Sequence, residues 1–194
     1  MREAHSRSAH ASIAGYLYQA YLGLERWLAL GDKEVIVFEG DEDIDRLLLG
    51  TASGVSEQVK LRSGDLGAGV VRKCLRSFLP TYIALQKKEA DRRYRFVSNA
   101  DLLPGSPLRG LISALQAWSH LGEERQREVV LEWKAWLQPA DGEGDAALLN
   151  AYRWLDQEEG RWGAWLSSLE FVLESPAIPA IRGSLLDALR RRED

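Results

Sequence analysis

Three short β-prone runs lie close together in the first third of the chain, and they limit the possible folds more than any other feature. They are EVIVFE (34–39), IDRLLL (44–49) and VSEQVKL (55–61). Each run is too short for a helix, and the GTASG segment has the glycines and small polar residues of a hairpin loop. The sequence therefore predicts three consecutive strands, the last two joined as a hairpin.

Helical periodicity precedes these strands. Between Ser12 and Leu30, apolar residues recur at the spacing of a helix, with Ser12 suited to the N-cap and Gly31 to the C-terminal stop. The residues that define this spacing are Ile13, Tyr16, Leu17, Tyr21, Leu24 and Leu28. We therefore expect a helix before the first strand.

A second helix and a fourth strand follow. The spacing of apolar residues predicts a helix from Val70 to about Ala90, and we expect Pro80 to kink or split it. The run YRFVS (94–98) then has the composition of a strand. Because a helical crossover normally joins parallel strands, the predicted sheet is mixed and the fold class is α/β.

The composition changes after Asn99. A loop, DLLPGSP, leads into a region predicted to be helical, in which ADGEGD (140–145) is the clearest flexible break. Six of the seven tryptophans lie in this region, and we expect them to pack helices together rather than to stack bases. The predicted helices are 108–121, 123–137, 146–157, 162–174 and 179–191. We expect a core at 1–100 and a helical region at 101–194 that packs on it and supports self-association.

Charge is distributed unevenly along the chain. The formal net charge is −4, but the window from Lys60 to Arg95 holds ten Lys or Arg and three acids. This window carries +7 and the remainder −11, which suits a face that follows DNA phosphates. A solvated amphipathic helix would give the same pattern. The candidate DNA-binding residues are Arg62, Arg72, Lys73 and Arg76.

Cysteine count and hydropathy restrict the location and chemistry. With Cys74 as the single cysteine, no internal disulfide and no zinc-ligand set can form. The first residues lack the apolar core of a signal peptide, and no apolar run approaches the roughly 20 residues of a membrane span. We expect a cytoplasmic protein without a membrane partner. No Walker-type phosphate loop occurs, so we do not expect nucleotide hydrolysis.

A polar constellation falls on the predicted hairpin. If strand alternation holds, Asp43 and Asp45 share one face with Gln58 and Lys60. Phosphodiester hydrolysis needs acidic oxygens for Mg²⁺, an activated water, and a cation that neutralises the transition state. Asp45 precedes Gln58 by 13 positions, and Gln58-Val59-Lys60 completes such a set. Gln58 supplies a neutral carbonyl oxygen, so metal binding should rely on the aspartates and Glu39.

These residues and their order resemble the PD-(D/E)XK, or restriction-endonuclease-like, superfamily. More narrowly, they resemble the double-stranded-DNA endonuclease domain of bacterial anti-phage effectors of the CD-NTase-associated protein 4 type. That group typically has G-x-x-x-Q on a helix, E-x-x-x-D-hydrophobic, Q-V-K, and a strand ending in Ser/Thr-Asn. The matching residues are Gly15 to Gln19, Glu39 to Ile44, Gln58 to Lys60, and Val97 to Asn99.

The resemblance implies a function and roles for single residues. The chain would be a double-stranded DNA endonuclease that uses Mg²⁺ or Mn²⁺ and serves as a defence effector, restrained by a sensor domain or partner protein. Lys60 would stabilise the transition state or position the attacking water, and Gln58 would contact metal or water. The main acidic ligand is either Asp45 or Asp43, and Gln19 has a supporting position. A degenerate nuclease fold that binds DNA or a partner without cutting remains the alternative.

Overall fold

The computed structural model describes residues 2–86, 88, 90–138 and 146–193, and the predicted break at 140–145 lies outside the described residues. The first half of the chain contains a helix, three consecutive strands, a second helix and a fourth strand. Its elements are α1 (Arg2–Leu28), β1 (Glu34–Phe38), β2 (Ile44–Leu48), β3 (Gly54–Lys60), α2 (Ala68–Gln86) and β4 (Arg92–Ser98). The second half contains α3 (Leu108–Gln116), a 3₁₀ turn (Trp118–His120), α4 (Glu123–Leu137), α5 (Ala146–Asp156), α6 (Arg161–Ser167), β5 (Leu169–Val172) and α7 (Ile178–Glu193).

The five strands form one mixed sheet in the order β1-β2-β3-β4-β5. β1, β2 and β3 are antiparallel neighbours, and β4 lies parallel to β3 after the α2 crossover. The α/β class and the mixed sheet are therefore confirmed.

The fifth strand corrects the prediction for the second half of the chain. The sequence predicts a helix over 162–174, but α6 ends at Ser167 and β5 runs parallel to β4. Leu169 and Phe171 pack on one face of the sheet, whereas Val172 packs on the other, which is the two-residue period of a strand. The region after residue 100 is thus not wholly helical, because pairing with β4 overrides the local preference.

Two helix predictions also differ from the structure. α1 begins at Arg2, so Ser12 lies inside the helix and is not its N-cap. Pro80 lies inside α2 without splitting it, and the alternative of a kink stays a prediction. The buried residues Phe78, Leu79 and Tyr82 flank the proline, and their packing holds the helix together across it.

Hydrophobic layers cover both faces of the sheet. On one face, α2 to α6 pack against Tyr94 and Phe96 of β4. On the other, α1 and α7 pack against a smaller cluster that includes Ile44, Val59 and Val97. Trp133 and Trp165 are fully buried. Across the described residues, no helix has both the length and the apolar content needed to cross a membrane.

Candidate functional site

Three of the predicted site residues meet at the end of β3. Gln58 donates its Nε2–H to Asp43 Oδ2 over 2.6 Å, and the backbone N–H of Val59 donates to the same oxygen over 2.7 Å. Lys60 Nζ lies 3.6 Å from this oxygen. Gln58 and Lys60 are two residues apart on β3, so they share a face and both reach Asp43. In the part of the chain that the structure describes, every hydrogen bond to this carboxylate is made at Oδ2.

Asp45 lies apart from this group. Its carboxylate is buried, with the residue 1% exposed, and Ser56 Oγ donates to Oδ1 over 2.5 Å. Arg92 Nη1 lies 3.6 Å from the same oxygen. Asp43 precedes the first residue of β2, so strand alternation does not extend to it and the two aspartates point to different surroundings. The structure therefore brings Asp43, and not Asp45, to Gln58 and Lys60.

The turn that carries Asp43 is held from two sides. Asp45 Oδ2 accepts the backbone N–H of Asp41 over 2.7 Å and that of Glu42 over 3.4 Å. From the side of α1, Gln19 donates Nε2–H to Glu39 Oε1 over 3.0 Å and to the backbone carbonyl of Asp43 over 2.5 Å. Glu39 has a φ of 53°, a left-handed conformation that costs energy for a residue with a side chain. These contacts keep the turn in one conformation.

Arg92 of β4 completes this support, and the sequence does not predict its role. Its Nη1 donates to Asp41 Oδ2 over 3.0 Å and to Ser56 Oγ over 2.9 Å, while Nε and Nη2 donate to the carbonyl oxygen of Ala52. The guanidinium is almost completely buried and compensates the buried charge of Asp45. No sequence signal connects Arg92 with residues that lie about fifty positions earlier.

An open cavity of about 340 Å³ lies beside the Asp43 carboxylate. α1 forms one wall, and the turn and the end of β3 form the other. The lining residues are Ser12, Gly15, Tyr16, Gln19, Glu39, Asp43, Val59, Lys60 and Leu61. Tyr16 is not among the predicted site residues, although it lies within the G-x-x-x-Q motif that indicates Gln19.

Several carboxyl groups lie close together at the site. Burial raises the pKa of Glu42 to about 8, with further increases from the neighbouring carboxylates of Asp43 and Asp45, while Lys60 opposes them. Such a cluster favours a bound cation. The oxygens of Asp43, Glu39 and Gln58 are hard ligands of the kind that Mg²⁺ and Mn²⁺ prefer. Among the described residues, no group of three or more His, Cys, Asp or Glu side chains is arranged to hold a metal ion.

Much of the basic window is engaged within the protein. Arg72 stacks on Trp136 with its Cζ 4.9 Å from the ring centroid, and Arg76 donates to the carbonyl oxygens of Leu137 and Gln138. Arg93 and Arg95 pair with Glu170. Arg62 and Lys73, by contrast, are exposed. The +7 window is therefore not one continuous phosphate-binding face.

Glu57 occupies the opposite face of β3 from Gln58. Its carboxylate is buried and pairs with Arg26 of α1 and Arg95 of β4. The contacts join the sheet to α1, so Glu57 has a structural place outside the Asp43 cluster.

Comparisons with known proteins returned no match among family models, curated proteins or solved structures. We therefore infer the function of this cluster from its geometry and chemistry.

Proposed function

We propose that this chain is a metal-dependent double-stranded DNA endonuclease of the PD-(D/E)XK type. The observation that carries the proposal is the Asp43 carboxylate held against Gln58 and Lys60 beside an open cavity. The antiparallel β1-β2-β3 meander and the parallel β4 reached through α2 support it, since this order is the one the superfamily resemblance implies. An acid, an amide oxygen and a lysine at the end of a central strand suit phosphodiester hydrolysis.

The metal would be held by oxygens of Asp43, Glu39 and Gln58. Mg²⁺ is commonly bound through one or two carboxylates, with water and substrate phosphate in the other coordination positions. Two carboxylates and one amide oxygen match this ligand set. When bound, such an ion supplies a Lewis acid and a more acidic water. Asp43 Oδ2 is already occupied by protein donors, so Oδ1 is the oxygen that it offers.

The chain's own residues would divide the remaining work. Lys60, about one-third exposed, places a cation where negative charge develops on the scissile phosphate. Gln58 orients Asp43 through its amide N–H, and Gln19 orients Glu39 and the Asp43 backbone. Asp45 and Arg92 would act only by holding the turn. We therefore assign Asp43 as the main metal ligand and Asp45 as its support.

A degenerate nuclease fold that binds DNA without cutting is the second candidate. Two observations favour it: Gln58 stands where an acid would add a ligand, and Asp43 already pairs with Lys60. Salt-dependent retention of DNA without metal-dependent cleavage would support this alternative.

On the motif resemblance alone, we further propose that the nuclease acts in bacterial anti-phage defence. An unrestrained DNase would damage its own host, so a regulatory sensor domain or partner protein is part of the proposal.

The experiment that tests the proposal is cleavage of linear double-stranded DNA by the full chain, with and without candidate activators. We expect fragments in Mg²⁺ or Mn²⁺ and intact DNA in excess EDTA. Equal cleavage in EDTA would exclude the metal-dependent mechanism. DNA that is bound by the protein but stays uncut under all conditions would favour the degenerate fold.

DNA binding should depend on the exposed cations Arg62 and Lys73 rather than on the whole basic window. We expect Arg62→Glu with Lys73→Glu to weaken binding to every DNA sequence about equally. The salt slope should fall by about 2, since each substitution removes one cation from a DNA phosphate. Fluorescence anisotropy across a salt series measures both quantities.

Charge reversal at Arg72 and Arg76 is the matched control, because these side chains are engaged with Trp136 and the end of α4. We expect it to lower the melting temperature. If the salt slope falls for the Arg72 and Arg76 variant and stays unchanged for the Arg62 and Lys73 variant, the DNA instead contacts Arg72 and Arg76.

A further inference from the structure

We propose that the outward face of α1 is a self-association surface through which two copies of this chain pair as antiparallel helices. Five large apolar side chains on this helix, Ile13, Tyr16, Leu17, Leu24 and Trp27, are between 47% and 66% exposed. Ala20, between them, is exposed as well. We call these six residues the α1 stripe. This inference goes beyond the proposed function and does not depend on it.

The stripe is continuous and uncharged. At 3.6 residues per turn, its six members fall within an arc of about 100° and extend over about 21 Å. The inward face of the same helix buries Tyr18 and Leu22 against the sheet. α1 is therefore apolar on two opposite sides, which is typical of a helix enclosed by protein and not of one that faces water.

The order of side chains along the stripe fits a second copy of itself. In an antiparallel pair with its two-fold axis at Ala20, Ile13 of one copy faces Trp27 of the other, and Tyr16 faces Leu24. The smallest residue then lies where the two helices cross. Ile13, Ala20 and Trp27 are seven residues apart, which is the repeat that keeps a helix seam against its partner. A two-fold pair needs such a self-complementary surface.

The area also matches a dimer. A half-exposed large apolar side chain offers roughly 100 Å². Phe38 extends the patch, because its ring lies directly on Gly23, where an added Cβ would be 2.2 Å from the ring, and it is itself about half exposed. Six such side chains give roughly 600 Å² per copy, or about 1,200 Å² in a pair, which reaches the lower end of specific interfaces. A patch of this size is at the upper end of the largest apolar patches on typical monomers, and such patches often mark interaction sites.

The interface would reach the candidate site. Tyr16 belongs to the α1 stripe and also lines the cavity beside Asp43. A partner helix that covers Tyr16 would lie at the rim of each cavity. The surface thus differs from the self-association predicted for the tryptophan-rich region, where Trp133 and Trp165 are buried within the chain.

Sedimentation velocity of the full chain between about 1 and 100 μM tests the pairing. We expect a dimer that dissociates on dilution. Ala20→Arg puts two like charges at the axis and should raise the dissociation constant by on the order of 100-fold or more. Leu131→Glu, on the equally solvent-facing side of α4, is the control and should leave it unchanged. A wild-type protein that is monomeric at 100 μM would overturn the proposal. In that case a second copy of this chain does not cover the α1 stripe.

A charge pair tests the antiparallel register. Ile13→Lys or Trp27→Glu alone should give monomers, whereas the double variant should regain the dimer, because each lysine then faces a glutamate of the other copy. Failure of the double variant to dimerise, with circular dichroism showing folded protein, would overturn this register. The readout is mass in solution, so its failure is separate from a failure of the nuclease assignment.

Discussion

Lys60→Ala is expected to lower the rate of DNA cleavage by roughly 10²–10³-fold, the usual effect of losing one group that stabilises transition-state charge. The melting temperature should stay close to that of the wild type, because the Lys60–Asp43 pair is partly exposed and such pairs stabilise proteins little. Single-turnover cleavage at saturating Mg²⁺ measures the first quantity, and thermal unfolding measures the second.

Lys33→Ala is the matched control. Lys33 immediately precedes β1, whereas Lys60 contacts Asp43 in the turn that follows β1, so Lys33 lies at the end of β1 away from the cluster. We expect wild-type cleavage from this variant. If Lys60→Ala cleaves as fast as Lys33→Ala, the cation in the cluster does not act on the phosphate.

Asp45→Ala should lower the free energy of unfolding by about 3 kcal/mol, the lower end of the range for breaking a buried ion pair. The guanidinium of Arg92 would keep only the half-exposed Asp41 as an ionic partner. Two backbone N–H groups of the turn would also be left without their acceptor. Asp43→Ala should cost less, about 1–2 kcal/mol, because it removes the acceptor of the Gln58 amide and the Val59 N–H but leaves no buried charge behind. Urea denaturation of both variants measures the difference.

A double variant separates charge compensation from turn geometry. Asp45→Ala with Arg92→Leu removes both buried charges and should be more stable than Asp45→Ala alone. It should still cleave poorly, because the turn would lack its anchor. A stable Asp45→Ala protein that no longer binds metal would instead make Asp45 the ligand.

The order of the first four strands could be predicted from the sequence because each strand is marked locally. Short β-prone runs, a glycine-containing hairpin loop and a helical crossover determine which neighbours are antiparallel and which are parallel. β5 could not be predicted in this way. It has four residues within a helical composition, and it is a strand only because β4 offers an edge with which it can pair.

The candidate site, like the fold, could be predicted from the sequence only in part. The motifs predicted both aspartates together with Gln58 and Lys60 and left open which one is the ligand, and the structure places Asp43 in contact with Gln58 and Lys60. The buried position of Asp45 depends on its contacts with Arg92 and Ser56, which come close to it only in the folded sheet. Alternation could not separate the two aspartates without the exact start of β2. Likewise, helical spacing marked α1 but could not tell which of its two apolar faces packs inward.

The nuclease assignment depends on hydrolysis of DNA at the Asp43 cluster with a divalent metal. Its sharpest test is the cleavage of linear double-stranded DNA by wild-type protein and Asp43→Asn, prepared identically and, where one is required, with the same activator, in Mg²⁺, Mn²⁺ or EDTA. Asp43→Asn keeps the size of the side chain while removing the charge that holds the metal. We predict cleavage by the wild type in either metal, none in EDTA, and a decrease of at least about 10²-fold in the variant. Cleavage by Asp43→Asn at the wild-type rate, or by either protein in EDTA, would contradict the assignment.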